Sequence, residues 1–180
     1  MGNSTRGKFL IANSSIISDF FHNKVVFMLE HDNVGAFGLA INHKLDVTIS
    51  ELIKGVSASE IPVFSGGPVD SSYISILHNN PNFRDPGGME VIPGVFMGRS
   101  FELLLNVMES KSQFRVFQGY SGWGSSQLEE EIESKSWVVT DAVVDLIFNE
   151  DLSSVWRESL KTKGGLYKYF AEHTKDPMLN

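Results

Sequence analysis

The residues Gly119-Tyr120-Ser121-Gly122-Trp123-Gly124 gather glycines and aromatics between an apolar run that starts at Phe114 and a helical pattern that reaches Ile132. A glycine-rich turn that opens a helix offers backbone N–H groups to an anion, so phosphate binding is the first chemistry to test. The glycines here run in the order GxxGxG, and no Lys-Ser or Lys-Thr pair follows them. Glu129, Glu130 and Glu131 fall in the early turns of the helix, where they already complement its positive end and would repel phosphate. A nucleophile elbow fits no better, because GxSxG needs glycine two residues after the serine and Ser121 has Trp123 there. The motif therefore reads as glycines that supply unusual dihedral angles while Tyr120 and Trp123 pack.

His31, His43 and His78 sit at the ends of apolar runs, where a sheet could draw them together with Glu30 as a metal or acid–base cluster. None has a helical partner of the HExxH kind, and isolated strand-end histidines are more often structural, so no metal, cofactor or catalytic residue is expected. Pockets do form where polar strand ends meet glycine turns. The candidate ligand-binding set is accordingly Glu30, His31, Asn42, His78, Tyr120 and Trp123. The carboxylates from Glu129 to Glu133 read as a solvated helix face.

The elements that must position these residues come from a chain of 180 residues, 42% hydrophobic and 21% charged, which is ordinary for a folded domain. One domain over residues 1–180 is expected, with disordered ends at 1–6 and 170–180. A formal net charge of -7, with no run of Lys and Arg, disfavours direct nucleic-acid binding. With no cysteine, disulfides, thiolate metal sites and Cys nucleophiles are excluded. The apolar run Phe9 to Ala12 is too short for a signal peptide, Arg6 stands where a myristoylation signal wants Ser or Thr, and no stretch nears the ~20 apolar residues of a membrane span.

Lys8 to Asn13 and Lys24 to His31 are rich in β-branched and aromatic residues and read as buried strands joined by a loop or turn from Ser14 to Asn23. Gly35 to Ile41 resumes strand character after Asp32-Asn33, which predicts a hairpin. Thr48-Ile49-Ser50-Glu51 is a capping-box pattern for a short helix closed by Gly55. Pro62 to Ser65 and Tyr73 to His78 read as strands around Gly66-Gly67-Pro68, followed by a loop from Asn79 to Gly88. A helix over Ser100 to Ser110 would turn Phe101, Leu104, Leu105 and Met108 inward. Then come a strand from Phe114 to Tyr120, the glycine-rich turn, a helix boxed by Ser126 and Glu129, a strand over Trp137 to Thr140, and a helix from Leu152 to Thr162 that leads past Gly164-Gly165 into a polar tail. This irregular alternation predicts an α/β (α+β) fold with a mixed, mostly antiparallel sheet packed by helices.

Taken in order, Glu30-His31, Gly35 to Asn42 (GAFGLAIN), Gly66-Gly67-Pro68-Val69, Leu77-His78, Gly119 to Gly124, Gln127-Leu128-Glu129 and Trp137 resemble the AlgH (YqgE-type) family of bacterial proteins over nearly the whole chain. The resemblance implies a bifurcated or barrel-like central sheet flanked by helices in a cytoplasmic protein. It brings no established catalytic residues, since the family is largely uncharacterised and takes its name from a proposed role in transcriptional control of alginate synthesis. The family has a Pro after the first strand, an Asp-Pro further on and Arg-Ser or Arg-Thr before the second strand. Here those places hold Ser14, Asp19-Phe20 and Asn23-Lys24. The expectation is a non-enzymatic regulatory or interaction protein, with a protein partner favoured over nucleic acid by the acidic charge and no membrane partner. The alternative is a small-molecule-binding protein or enzyme with its pocket at the strand-end His and Glu residues beside the Gly119–Gly124 turn.

Overall fold

A computed structural model describes residues 4–13, 20–57 and 60–173. Ten strands form the sheet: β1 (Lys8–Ala12), β2 (Val25–His31), β3 (Gly35–Ala40), β4 (Lys44–Thr48), β5 (Pro62–Ser65), β6 (Val69–His78), β7 (Met89–Ile92), β8 (Val95–Gly98), β9 (Phe114–Gly124) and β10 (Trp137–Asp141). Six helices accompany them: α1 (Ile49–Leu52), α2 (Phe101–Glu109), α3 (Gln127–Glu133), α4 (Val144–Ile147), α5 (Leu152–Lys163) and α6 (Gly165–His173). The strand order is β10-β1-β2-β3-β9-β6-β8-β7, with β5 pairing both β4 and β9. Every pairing is antiparallel except β5 with β9.

The sheet is covered on both faces in its β1–β3 region, which is why those strands read as unbroken apolar runs. Period two still sorts them. Phe9, Ile11, Val25, Phe27, Leu29 and Leu39 face one core with Trp156 and Leu160 of α5, while Leu10, Ala12, Val26, Met28 and Ala40 face another with Trp123, Leu128 and Trp137. Each large side chain buried here contributes roughly 1.5–3 kcal/mol against exposure. A third core packs Leu103, Leu104 and Val107 of α2 on Val63, Ile76 and Val116. The sheet curls into a half-barrel, so that Arg6, just ahead of β1, donates to the Glu90 carbonyl of β7 at 3.0 Å.

The glycine-rich segment is the main departure from the sequence reading. It is no turn; it is the second half of β9, an eleven-residue strand at which the sheet branches. Residues 114–118 pair with β6, and 116–118 also with β5; Tyr120 still pairs with Val69 of β6, and 121–124 pair with β3. The branch requires backbones to touch: a Cβ on Gly67 would lie 2.1 Å from the Tyr120 carbonyl carbon, and Gly119 has φ +70. The helix then begins at Gln127, and the Ser126–Glu129 box does not form: Ser126 is left-handed at φ 63 without a side-chain cap, and the Gln127 side chain instead accepts from the Gly124 N–H at 3.0 Å.

Other differences have local causes. In α2 the buried stripe is Leu103, Leu104 and Val107, while Phe101 and Leu105 are exposed, because the stripe beginning one turn-phase later has the same spacing and Ser100 caps it by accepting from the Leu103 N–H. The hairpin β7–β8, turned by Pro93-Gly94 with Gly94 at φ +80, and the strand β4 were not expected. Thr48 and Glu51 do pair, with Glu51 accepting from both the backbone N–H and the hydroxyl of Thr48. The expected polar tail forms α6 as far as His173, with Ala171 buried. Residues 174–180 lie outside the described ones, as do Ser14 and Asp19.

Candidate functional site

An open cleft of about 660 Å³ lies where the tip of the β2–β3 hairpin, the start of β6 and the second half of β9 meet. The hairpin brings Glu30, Asp32, Val34 and Phe37 to it. A register shift between Met28 and Glu30 sets Glu30 opposite Phe37. The tip is shaped by Asp32, whose Oδ1 accepts from the N–H groups of Val34 at 2.8 Å and Gly35 at 3.2 Å, and Val34 at the tip is 77% exposed.

The start of β6 contributes Val69, Asp70 and Tyr73. Asp70 adopts φ 47, and its carboxylate accepts from the Ser72 N–H at 3.1 Å and hydroxyl at 2.5 Å, bonds that hold its pKa below the ordinary aspartate value. β9 contributes Tyr120, Gly122 and Trp123. Tyr120 is the middle of a row of rings, edge-on to Phe37 at 6.0 Å and to Tyr73 at 5.2 Å between centroids. The Arg99 guanidinium stands 4.0 Å over the Tyr73 ring, and burial raises the pKa of the Tyr73 phenol.

Trp123 is fixed from the far side of the sheet. Its indole N–H donates to Glu131 Oε2 at 2.8 Å, and the indole N–H of Trp137 donates to the same oxygen at 2.7 Å. Glu131 is therefore a clamp between α3, β9 and β10, where the sequence reading had a solvated face. Glu129 departs from that reading too, through His31.

Of the candidate set, the cleft brings together Glu30, Tyr120 and Trp123. His31, Asn42 and His78 are elsewhere. His31 accepts at Nδ1 from the Thr5 N–H at 3.1 Å, which leaves Nε2–H to donate to Glu129 Oε1 at 3.1 Å, so this ring ties the N-terminal segment and α3 to β2. Asn42 accepts from the Val25 N–H at 2.9 Å and donates to the Asn23 carbonyl at 2.8 Å, closing the other end of the β2–β3 pair. His78 is buried, stacked on Phe96 at 5.5 Å, with its pKa lowered by burial. His43 lies 5.1 Å from the Phe20 ring, with its pKa lowered by burial and by Lys24. The expected histidine cluster does not form, because the three rings have different neighbours, Thr5 and Glu129 for His31, Phe20 for His43 and Phe96 for His78; among the described residues no group of three His, Asp or Glu is arranged to hold a metal ion. Ser121 is buried and its hydroxyl donates to the Gly66 carbonyl at 2.9 Å.

A second cavity of about 440 Å³ borders Lys44, Phe64, Arg115 and Glu150. Arg115 there is already engaged: it donates to the carbonyls of Ile41 and Asn149, stands 4.5 Å from the Phe64 ring centroid, and has its pKa pushed down to about 10 by burial. Lys24, at one of the positions that depart from the resembled family, has its pKa lowered by burial.

The cleft's chemistry follows from what lines it. Glu30, Asp32 and Asp70 supply negative charge, Phe37, Tyr73 and Tyr120 supply ring faces, and the described lining residues include no Lys, Arg or His. Such a surface attracts cations and apolar groups. Val34, Phe37, Asp70 and Tyr73 were missed because they reach the cleft only through the pairing of β6, β9 and β3. The Gly66-Gly67-Pro68-Val69 motif next to them was the available signal.

Comparison with known proteins places these features. The family described as AlgH-like matches residues 9–168. A UPF0301 protein of Chlorobium phaeobacteroides is 35% identical over 179 residues, covering 97% of this chain and 95% of the relative, and one of Cytophaga hutchinsonii is 32% identical over 182 residues, covering 98% and 99%. The solution structure of the AlgH protein from Pseudomonas aeruginosa superposes with a TM-score of 0.78 at 21% identity over 98% of this chain and 97% of that one. A crystal structure from Corynebacterium diphtheriae gives 0.80 at 19% identity over 95% and 93%. These structures share the half-barrel fold.

Proposed function

The chain belongs to the AlgH-like family, and from that premise we propose that it is a non-enzymatic regulatory or interaction protein whose working surface is the cleft between the β2–β3 hairpin, β6 and β9. The partner is a protein, and it presents positive charge and apolar side chains. The observation that carries this reading is the row Phe37–Tyr120–Tyr73 with Glu30, Asp32 and Asp70 around it. Rings packed edge to face form a rigid floor, and rigid aromatic contact area is what interface anchors use. The surrounding carboxylates steer a basic partner and repel nucleic acid, in keeping with the net charge of -7. No helix among the described residues is long and apolar enough to cross a membrane, and we place the protein in the cytoplasm.

The test is photo-crosslinking in the native cell with a benzoylphenylalanine at Val34, on the rim, and at the exposed Lys111 as a remote control. The reading expects a discrete protein adduct from position 34, absent from position 111, and lost when Glu30→Gln and Asp70→Asn are added. Identical adduct patterns from both positions would contradict it.

One observation favours a second reading. At about 660 Å³ the cleft is large enough for a metabolite-sized ligand. A thermal-shift screen separates the two, since a ligand at about 100 times its Kd adds roughly 2.7 kcal/mol. A saturable rise with one compound, abolished by Tyr120→Leu, would favour the small molecule.

A further inference from the structure

We infer that the group seated in this cleft is the guanidinium of an arginine side chain, carried on an apolar segment of the partner protein. The inference rests on the reading of the cleft as a docking surface and adds the chemistry of its occupant.

Arg99 lays its guanidinium 4.0 Å over Tyr73, one of the three rings of the row, so this aromatic system already takes that group from one side. A planar, weakly hydrated guanidinium stacks on a ring face in a way that a compact, strongly hydrated ammonium does not. Tyr120, the central ring, has no basic residue beside it among the described residues that line the cleft.

The carboxylates stand on two separate elements, Glu30 and Asp32 on the hairpin and Asp70 on β6. Asp32 and Asp70 are held by bonds from Val34 and Gly35 and from Ser72, so their charge is fixed at the cleft before any partner arrives. Those bonds keep Asp70 ionised below the ordinary aspartate range. Preorganised carboxylates and a ring face together match a forked, planar cation.

Val34 on the hairpin is 77% exposed and Val69 on β6 37% exposed, and both line the cleft. They offer contact to the alkyl stem of an arginine and to apolar residues beside it. A free cation would have no use for them, which points to a protein segment.

The test uses the full chain and two blocked peptides, acetyl-Leu-Arg-Leu-amide and its citrulline twin, which replaces the guanidinium with a neutral urea of the same shape. Amide resonances are followed through a titration to about 10 mM. The arginine peptide is expected to shift Tyr73, Tyr120 and Gly122 saturably and to bind roughly tenfold more tightly than the citrulline peptide. Glu30→Gln with Asp70→Asn, both at exposed positions, is expected to bring the arginine peptide to the citrulline affinity while leaving the rest of the spectrum in place. Equal binding of both peptides in the cleft would overturn the inference and leave the docking surface standing. Shifts elsewhere, or none, would overturn the inference, and the crosslinking result would then decide the docking surface by itself.

Discussion

Replacing Glu131 tests the physical basis of the cleft floor, because this one carboxylate holds Trp123, which lines the cleft, and Trp137, which does not. Oε2 accepts from both indoles, at 2.8 and 2.7 Å, and Oε1 accepts from the Gln127 side chain at 3.0 Å. The tryptophans are 7% and 4% exposed, so an indole N–H that loses this partner has little access to water. A hydrogen bond to a charged group contributes about 1.5–3 kcal/mol, and at the lower figure two of them amount to about 3 kcal/mol. Glu131→Ala is therefore expected to destabilise the fold by about 3 kcal/mol, lowering Tm by roughly 6–12 °C for a chain of this size. Glu131→Gln keeps an acceptor oxygen and loses the charge, and should cost about 1 kcal/mol. Urea unfolding followed by tryptophan fluorescence measures both. A Glu131→Ala variant within about 0.5 kcal/mol of the parent would refute the clamp and return Glu131 to the solvated face that its sequence context suggests.

Gly67→Ala would place a Cβ 2.1 Å from the Tyr120 carbonyl carbon; the chain should fail to reach a dispersed amide spectrum, and a native spectrum would mean the branch of the sheet can open. Arg115→Met removes the donors to the Ile41 and Asn149 carbonyls and should cost about 2–4 kcal/mol in urea unfolding, against no measurable loss if water replaces them. Burial lowers the pKa of His78, and burial with the nearby Lys24 lowers that of His43, so the folded chain takes up these two protons at lower pH than the unfolded chain, which does so around pH 6.5. The stability they contribute is full above that pH and declines below it, with the larger share from the buried His78 and a smaller one from the half-buried His43. Unfolding at pH 7.5 and 5.5 should show this decline, and His78→Asn should reduce it; a flat profile would contradict the assignment.

The elements legible in the sequence are those whose cause is local. The β2–β3 hairpin announces itself through Val25 to Leu29, the turn residues at Asp32-Asn33 and the resumption at Gly35. Helices α2 and α5 follow from their spacing, although α2 turns a different stripe inward, since spacing fixes a period and packing fixes the phase. Gly119 to Gly124 was misread for a physical reason. Glycine at a turn and glycine where two backbones touch look alike in one dimension, and only the approach of Gly67 to Tyr120 tells them apart. The same limit governs the cleft. Glu30, Tyr120 and Trp123 could be named as candidates, but Tyr73 and Asp70 join them through the β6–β9 pairing, and the clamp at Glu131 arises from the way α3 folds back over β9 and β10. The strand-end histidines drew attention for their chemistry, and the fold uses His31 and His78 to accept from the Thr5 and Asn80 N–H groups beside their strands.

Whether the ring row seats an arginine is read most directly from nuclear Overhauser contacts between the arginine side chain of the bound peptide and the protein. An arginine seated in the cleft gives contacts from its δ protons to the rings of Tyr120, Phe37 or Tyr73, with those protons shifted upfield by the aromatic faces. Contacts instead to Phe64 and Phe114 beside Arg115, or to Leu166 and Phe170 on α6, would contradict that seating.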